Sequence, residues 1–393
     1  MNLKNQYMKK TQSFLLLCLG LILNTQLSEA QVIQNNYTTI GWWNGPNSTF
    51  SPVVNADNSI VFRIKAKEAK KVELMFDGWD YPAQQLKKDT VGVWSITLNS
   101  VDPGLYEYFF FVDGVRCLDL SNPRVKTGQE LDASIVEVTS LQPRFYELQN
   151  VAHGTIHILK YYSTPLHKMK NLVVFTPAEY EGTTARKFPV LYLRHGGGDN
   201  ETNWYKDGRA DVILENLIAS KKAIPMIVVM PNGMTDGSWS GGSSPEGIKS
   251  LENELITDII PLVEKRFRVA TGSENRAIAG LSMGGGQAFV IGLRNLDKFS
   301  WVGEFSSGLL SDKNFQIDKY APGVLDHSKE VNSKLRLLWI SCGSKDVRYP
   351  GYLNFSDMLK KNGINCETSE MVAAHEWKFW RHQLAVFSQR LFK

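Results

Sequence analysis

Four nearly continuous apolar runs, residues 188–193, 224–230, 276–281 and 335–341, constrain the chain more than any other feature. A run of that length without polar alternation suits a strand covered on both faces, the condition of a central strand in a parallel sheet. Between and after the runs lie stretches with helical periodicity, at 210–220, 251–267, 285–293, 352–362 and 377–392. The stretch at 352–362 stops at Gly363, which suits a helix C-terminus because glycine accepts the left-handed conformation found there. Strands alternating with helices predict an α/β domain with a largely parallel sheet, here over residues 152–393.

The preceding part has another texture. From about 32 to 138 the chain shows short alternating runs, such as Ile60-Val61-Phe62-Arg63-Ile64 and Val93-Trp94-Ser95-Ile96-Thr97-Leu98, broken by Gly, Pro, Asn and Asp. Period-2 runs with frequent turn signals predict a small immunoglobulin-like β-sandwich, assigned to residues 31–140. Residues 141–151, with Pro143, are the expected linker. At 393 residues the chain is too long for one ordinary core, in keeping with two domains. Residues 1–30 read as a secretory signal peptide. Lys4, Lys9 and Lys10 precede a short apolar run from Phe14 to Leu23, and Ser28-Glu29-Ala30 supplies small residues at a cleavage site. The apolar run is short for a bilayer span, so export without a membrane anchor is expected, to the periplasm or beyond.

Composition removes several classes of function. A net charge of +4 without a Lys/Arg block excludes a polyanion groove, so no nucleic-acid partner is expected. After the signal segment the cysteines are Cys117, Cys342 and Cys366, too few for a disulfide framework. No Cys/His group has metal-ligand spacing, and neither metal nor cofactor is expected. Asn36-Tyr37-Thr38, Asn47-Ser48-Thr49 and Asn200-Glu201-Thr202 fit the glycan acceptor pattern.

Gly280-Leu281-Ser282-Met283-Gly284 follows a predicted strand and precedes a predicted helix. A nucleophilic serine needs such a sharp turn, with glycines that let neighbouring backbone pass close by. Its hydroxyl also needs a base. Of the histidines after Ser282, His375 lies in a small-residue loop before the last helix, where a base belongs, whereas His382 lies inside that helix and His327 comes early. Cys342-Gly343-Ser344-Lys345-Asp346 delivers a carboxylate after a strand and a glycine turn, which makes Asp346 the expected orienting acid, with Asp312 as the alternative. Asp346 also suits a helix cap. An oxyanion hole needs two backbone N–H donors. Met283 follows the nucleophile, and His195-Gly196-Gly197-Gly198 follows an early strand; Gly197 is the expected second donor and Gly196 its rival. His195 is expected to shape that loop. Trp204, Trp239 and Trp377 are expected to contact substrate from loops near the site, and residues 232–245 to rim the pocket.

These motifs, with Asn203-Trp204, Gly285 and Trp380, resemble carbohydrate esterase family 1, the feruloyl and acetylxylan esterases related to the esterase D and enterochelin esterase groups. The resemblance implies an α/β-hydrolase domain, a Ser282–His375–Asp346 triad and metal-free ester hydrolysis through an acyl-enzyme. Val72-Glu73-Leu74, Gly92-Val93-Trp94 and residues 103–108 with Val112-Asp113-Gly114 resemble the family 48 carbohydrate-binding module, an early-set domain. Trp42, Trp43, Trp79 and Trp94 are either saccharide platforms there or buried anchors. The implied partner is plant cell-wall polysaccharide, feruloylated xylan first and acetylated xylan second. Siderophore trilactone hydrolysis, acyl transfer to sugars and non-catalytic glycan binding are the competing readings.

Overall fold

The computed structural model describes residues 50–77, 82–129, 131–140, 142–182 and 185–393. The signal segment 1–30, the acceptor sites at Asn36 and Asn47, and Trp42, Trp43 and Trp79 lie outside the described residues.

The described residues divide into two compact units, those within 1–74, 84–101 and 110–123 against those within 75–83, 102–109 and 124–393. In the first, an antiparallel sheet has the order β1–β2–β6–β5, from β1 (Val53–Val54), β2 (Ile60–Lys65), β5 (Lys87–Lys88) and β6 (Val93–Leu98). The end of β3 (Val72–Phe76) pairs with β4 (Gln84–Gln85), and the end of β7 (Gly104–Val112) pairs with β8 (Val115–Cys117). Alternation buries Ile60, Phe62, Val72 and Leu74. Trp94 is an anchor here: it is 6% exposed and its indole N–H donates to the Ala66 carbonyl (2.9 Å).

The second unit carries the hairpin β9 (Val125–Thr127) and β10 (Leu131–Val138), with β10 also pairing residues 104–108 of β7. Its main sheet has eight strands: β11 (Thr155–Ser163), β12 (Lys168–Thr176), β13 (Val190–Arg194), β14 (Ile227–Pro231), β15 (Arg276–Leu281), β16 (Trp301–Phe305), β17 (Leu337–Gly343) and β18 (Glu367–Met371). Their order is β11–β12–β14–β13–β15–β16–β17–β18, with β12 antiparallel to both neighbours and the remaining pairs parallel. The four apolar runs become β13, β14, β15 and β17, whose residues are buried throughout apart from the half-buried Arg276 at the start of β15.

Two cores lie on opposite faces of this sheet. Tyr192, Val229 and Ile278 join one, and their neighbours Leu193, Val228 and Ala279 join the other, as the two-residue period requires. The helices used below are α1 (Asn203–Lys206), α2 (Ala210–Ala219), α3 (Pro245–Glu254), α4 (Ile260–Arg266), α5 (Ser282–Arg294), α6 (Tyr349–Lys361) and α7 (Trp377–Ser388). The helix expected at 251–267 is α3 and α4 joined by a π turn, Leu255–Ile259. Pro261 has no N–H to give the preceding turn, and a wider turn absorbs that loss. In residues 142–151, the expected linker, Tyr146 and Glu147 are buried, and the Asn216 side chain donates to the carbonyls of Phe145 and Glu147 (both 2.9 Å). Cys117, Cys342 and Cys366 are free thiols.

Candidate active site

Ser282 ends the run of β15 and is the first residue of α5, three positions earlier than periodicity predicts. Its φ is +50°, a region costly for a residue with a side chain. The glycines of the pentapeptide explain how the turn closes. A Cβ on Gly280 would strike the backbone of Gly284, and one on Gly284 would strike the backbone of Arg194 and His195. The Met283 N–H lies in the first turn of α5, where no intrahelical acceptor exists.

His375 Nε2 lies 3.0 Å from Ser282 Oγ, and His375 Nδ1 lies 2.7 Å from Asp346 Oδ2. The backbone holds the two loops together: Ser344 N donates to Met371 O (2.9 Å) and Lys345 N to Ala373 O (3.0 Å). The His375 ring stands edge-on to Trp380, with centroids 4.8 Å apart. Asp346 faces the imidazole and also closes an Asx turn just ahead of α6. Oδ2 faces His375, while Oδ1 accepts the Arg348 N–H (2.9 Å) at the start of α6. Burial pushes its carboxyl upward, but the His375 hydrogen bond and charge, with the N–H and guanidinium of Arg348, outweigh burial and hold it below the usual value. Asp312 is exposed and caps its own turn by accepting the Asn314 N–H (2.8 Å).

The glycine loop is gripped by His195. His195 Nε2 accepts the Gly233 N–H (2.7 Å), so Nδ1 carries the proton and donates to the Gly196 carbonyl (2.8 Å). Burial lowers the basicity of this ring. A Cβ on Gly196 would lie 3.5 Å from Ser282 Cβ, and one on Gly197 would lie 3.0 Å from the Trp239 indole, so Gly196 faces the serine and Gly197 faces Trp239. Trp239 is 63% exposed.

Trp204 and Trp377 are a correction: both belong to the core. They are 1% and 3% exposed and stand edge to face at 5.5 Å. Their indole N–H groups are satisfied internally, Trp204 by Arg194 O and Trp377 by Glu107 Oε1 (both 2.9 Å). Their place in polar loops suggested exposure, but aromatics of this size fill the space between sheet and helix.

Two groups escaped the sequence reading. Arg194 Nε donates to Gln287 Oε1 (2.7 Å), and Gln287 Nε2 donates to the carbonyls of Gly233 and Gly242 (3.0 and 3.1 Å), which pins the 232–243 loop to α5. Glu304 on β16 is 3% exposed and accepts the N–H groups of Ser307 (2.9 Å) and Ser341 (2.8 Å). Burial pushes its carboxyl up to about 8 against those bonds, and the charge of Asp346 adds to the rise. None of Arg194, Gln287 and Glu304 was singled out by a motif; only the fold brings Arg194 to Gln287 and Glu304 to Ser341.

Sheet order, serine turn and histidine geometry define a protein of the α/β-hydrolase class. The chain belongs to the putative esterase family, whose model matches residues 163–391, and residues 49–123 match carbohydrate-binding module 48, the isoamylase N-terminal domain. An endo-1,4-beta-xylanase/feruloyl esterase of Xylanibacter ruminicola is 33% identical over 87% of this chain and 46% of its own length, so the chain spans less than half of that relative. A CE1 ferulic acid esterase from Anaeromyces mucronatus shares the fold, with TM-score 0.54 and 24% identity over 63% of this chain and 93% of that one. The enterobactin esterase of Shigella flexneri also shares it, with TM-score 0.65 and 16% identity over 89% and 97%.

Proposed function

We propose that the protein is a secreted serine carboxylic-ester hydrolase that releases ferulic acid from feruloylated xylan. One observation carries the reading: a single imidazole bridges Ser282 Oγ and Asp346 Oδ2 at 3.0 and 2.7 Å. Ser282 Oγ attacks the acyl carbonyl carbon while His375 Nε2 takes its proton. Asp346 keeps the ring in the productive tautomer and stabilises the imidazolium. The N–H group of Met283 and one from the glycine loop, Gly197 or its rival Gly196, donate to the developing oxyanion. Collapse of the tetrahedral intermediate breaks the ester C–O bond, and His375 gives its proton to the departing sugar oxygen, which leaves as the free hydroxyl. Water activated by His375 then cleaves the acyl-enzyme. Trp239 offers an exposed indole to an aromatic acyl group.

The feruloyl assignment is supported by the similarity to the endo-1,4-beta-xylanase/feruloyl esterase of Xylanibacter ruminicola. In this reading the N-terminal unit is an immunoglobulin-like early-set domain directed to cell-wall polysaccharide, and residues 1–30 direct export. Initial rates on methyl ferulate, acetylated xylan and a catecholate trilactone test the substrate. Methyl ferulate is expected to give the highest kcat/KM; a higher value on either of the others transfers the assignment to acetylxylan or siderophore esterase.

A further inference from the structure

The hairpin β9–β10 falls between the spans that match the two family models, 49–123 and 163–391. Its turn lies against the glycine loop. Gln129 N donates to Gly198 O (2.8 Å), and Asn200 Nδ2 donates to Thr127 O (2.9 Å). A Cβ on Gly128 would strike the Gly198 carbonyl, so the approach requires glycine. Lys126 Nζ lies 3.1 Å from Asp199 Oδ1 and 3.1 Å from Glu107 Oε1, with its side chain 11% exposed. Glu107 Oε1 also accepts the indole N–H of Trp377, two residues beyond His375. One nearly buried ammonium thus joins the glycine loop, which carries one of the two oxyanion donors, to the segment that carries the base.

Three consecutive glycines have little stiffness of their own, whereas an oxyanion hole works only when its donors are held in place before the charge develops. His195 and the Trp239 carbonyl, which accepts the Gly198 N–H (2.9 Å), hold the loop on one side. We propose that the β9–β10 hairpin is the brace on the other side, with Lys126 and Gly128 as positioning residues for the oxyanion loop. The proposal rests on the serine-hydrolase reading above. Burial pushes Asp207, close by, up to about 7, the charge of Glu107 adds to the rise and Lys126 opposes it, in keeping with a lysine that neutralises this acidic surrounding.

The test uses the full chain and compares Lys126→Met, Lys126→Arg and Gly128→Ala, with Ser282→Ala as control. Steady-state kinetics on methyl ferulate and hydrogen exchange of the 194–200 segment are the readouts. Lys126→Met and Gly128→Ala are expected to lower kcat roughly 10- to 100-fold, within the loss that follows when an oxyanion donor is displaced. KM should change little, exchange at 196–199 should rise, and Lys126→Arg should recover most of the rate. Folded Lys126→Met and Gly128→Ala proteins with unchanged kcat and unchanged exchange overturn the brace. So does a change confined to KM, which makes the hairpin a substrate wall. Gly128→Ala leaves every charge in place, so it decides the matter if Lys126→Met does not fold. Turnover that survives Ser282→Ala refutes the serine reading instead, and the exchange data still judge the brace.

Discussion

Ser282 occupies a backbone conformation that a residue with a side chain adopts at a cost, and the close backbone approaches at Gly280 and Gly284 let the turn form. At Asp346 the two oxygens serve an Asx turn and the imidazole separately. Asp346→Asn keeps the turn oxygen but turns an N–H toward Nδ1, so the ring is driven to the wrong tautomer. It is expected to lower kcat by roughly 10⁴-fold with little change in KM, as steady-state kinetics would read. The tryptophans divide by burial. Trp204→Ala opens a core cavity and should cost about 3–5 kcal/mol in denaturant unfolding. Trp239→Ala, at an exposed position, should leave stability within about 0.5 kcal/mol and raise KM for methyl ferulate.

Among the elements, β16 carries the least ordinary group. Burial pushes its Glu304 carboxyl up to about 8, above its usual 4.5. The native state therefore keeps a proton that the unfolded chain releases first. The stability this supplies is complete below about 4.5 and is lost as pH rises toward about 8. Asp346, held low, contributes in the opposite sense, losing its stabilisation as pH falls through its depressed value. Glu304→Gln removes one titration and should flatten the decline in unfolding free energy between pH of about 5 and about 8. Equal slopes in both proteins would contradict the burial argument. In the main sheet, the strands legible in the sequence were those with uninterrupted apolar runs, β13, β14, β15 and β17. Strand β16, written Trp301-Val302-Gly303-Glu304-Phe305, was hidden because a glycine and a carboxylate interrupt the apolar signal. The π turn was invisible for a related reason: periodicity continues across Pro261, and only the hydrogen bonds change.

For the molecule as a whole, the chemistry was legible because its residues sit beside turn glycines in a fixed order along the chain: Gly196 to Gly198, Ser282, Asp346, His375. What joins them was not. Arg194 to Gln287 and Lys126 to Asp199 are contacts between distant segments, and neither side of such a pair announces its partner. The same blindness assigned Trp204 and Trp377 to the pocket. The account stands on Ser282 as nucleophile, and Ser282→Ala tests it most directly. Turnover of an activated acyl ester should fall on the order of 10⁶-fold while the thermal midpoint stays within a few degrees of the parent. A folded variant that retains turnover within tenfold of the parent would contradict the account.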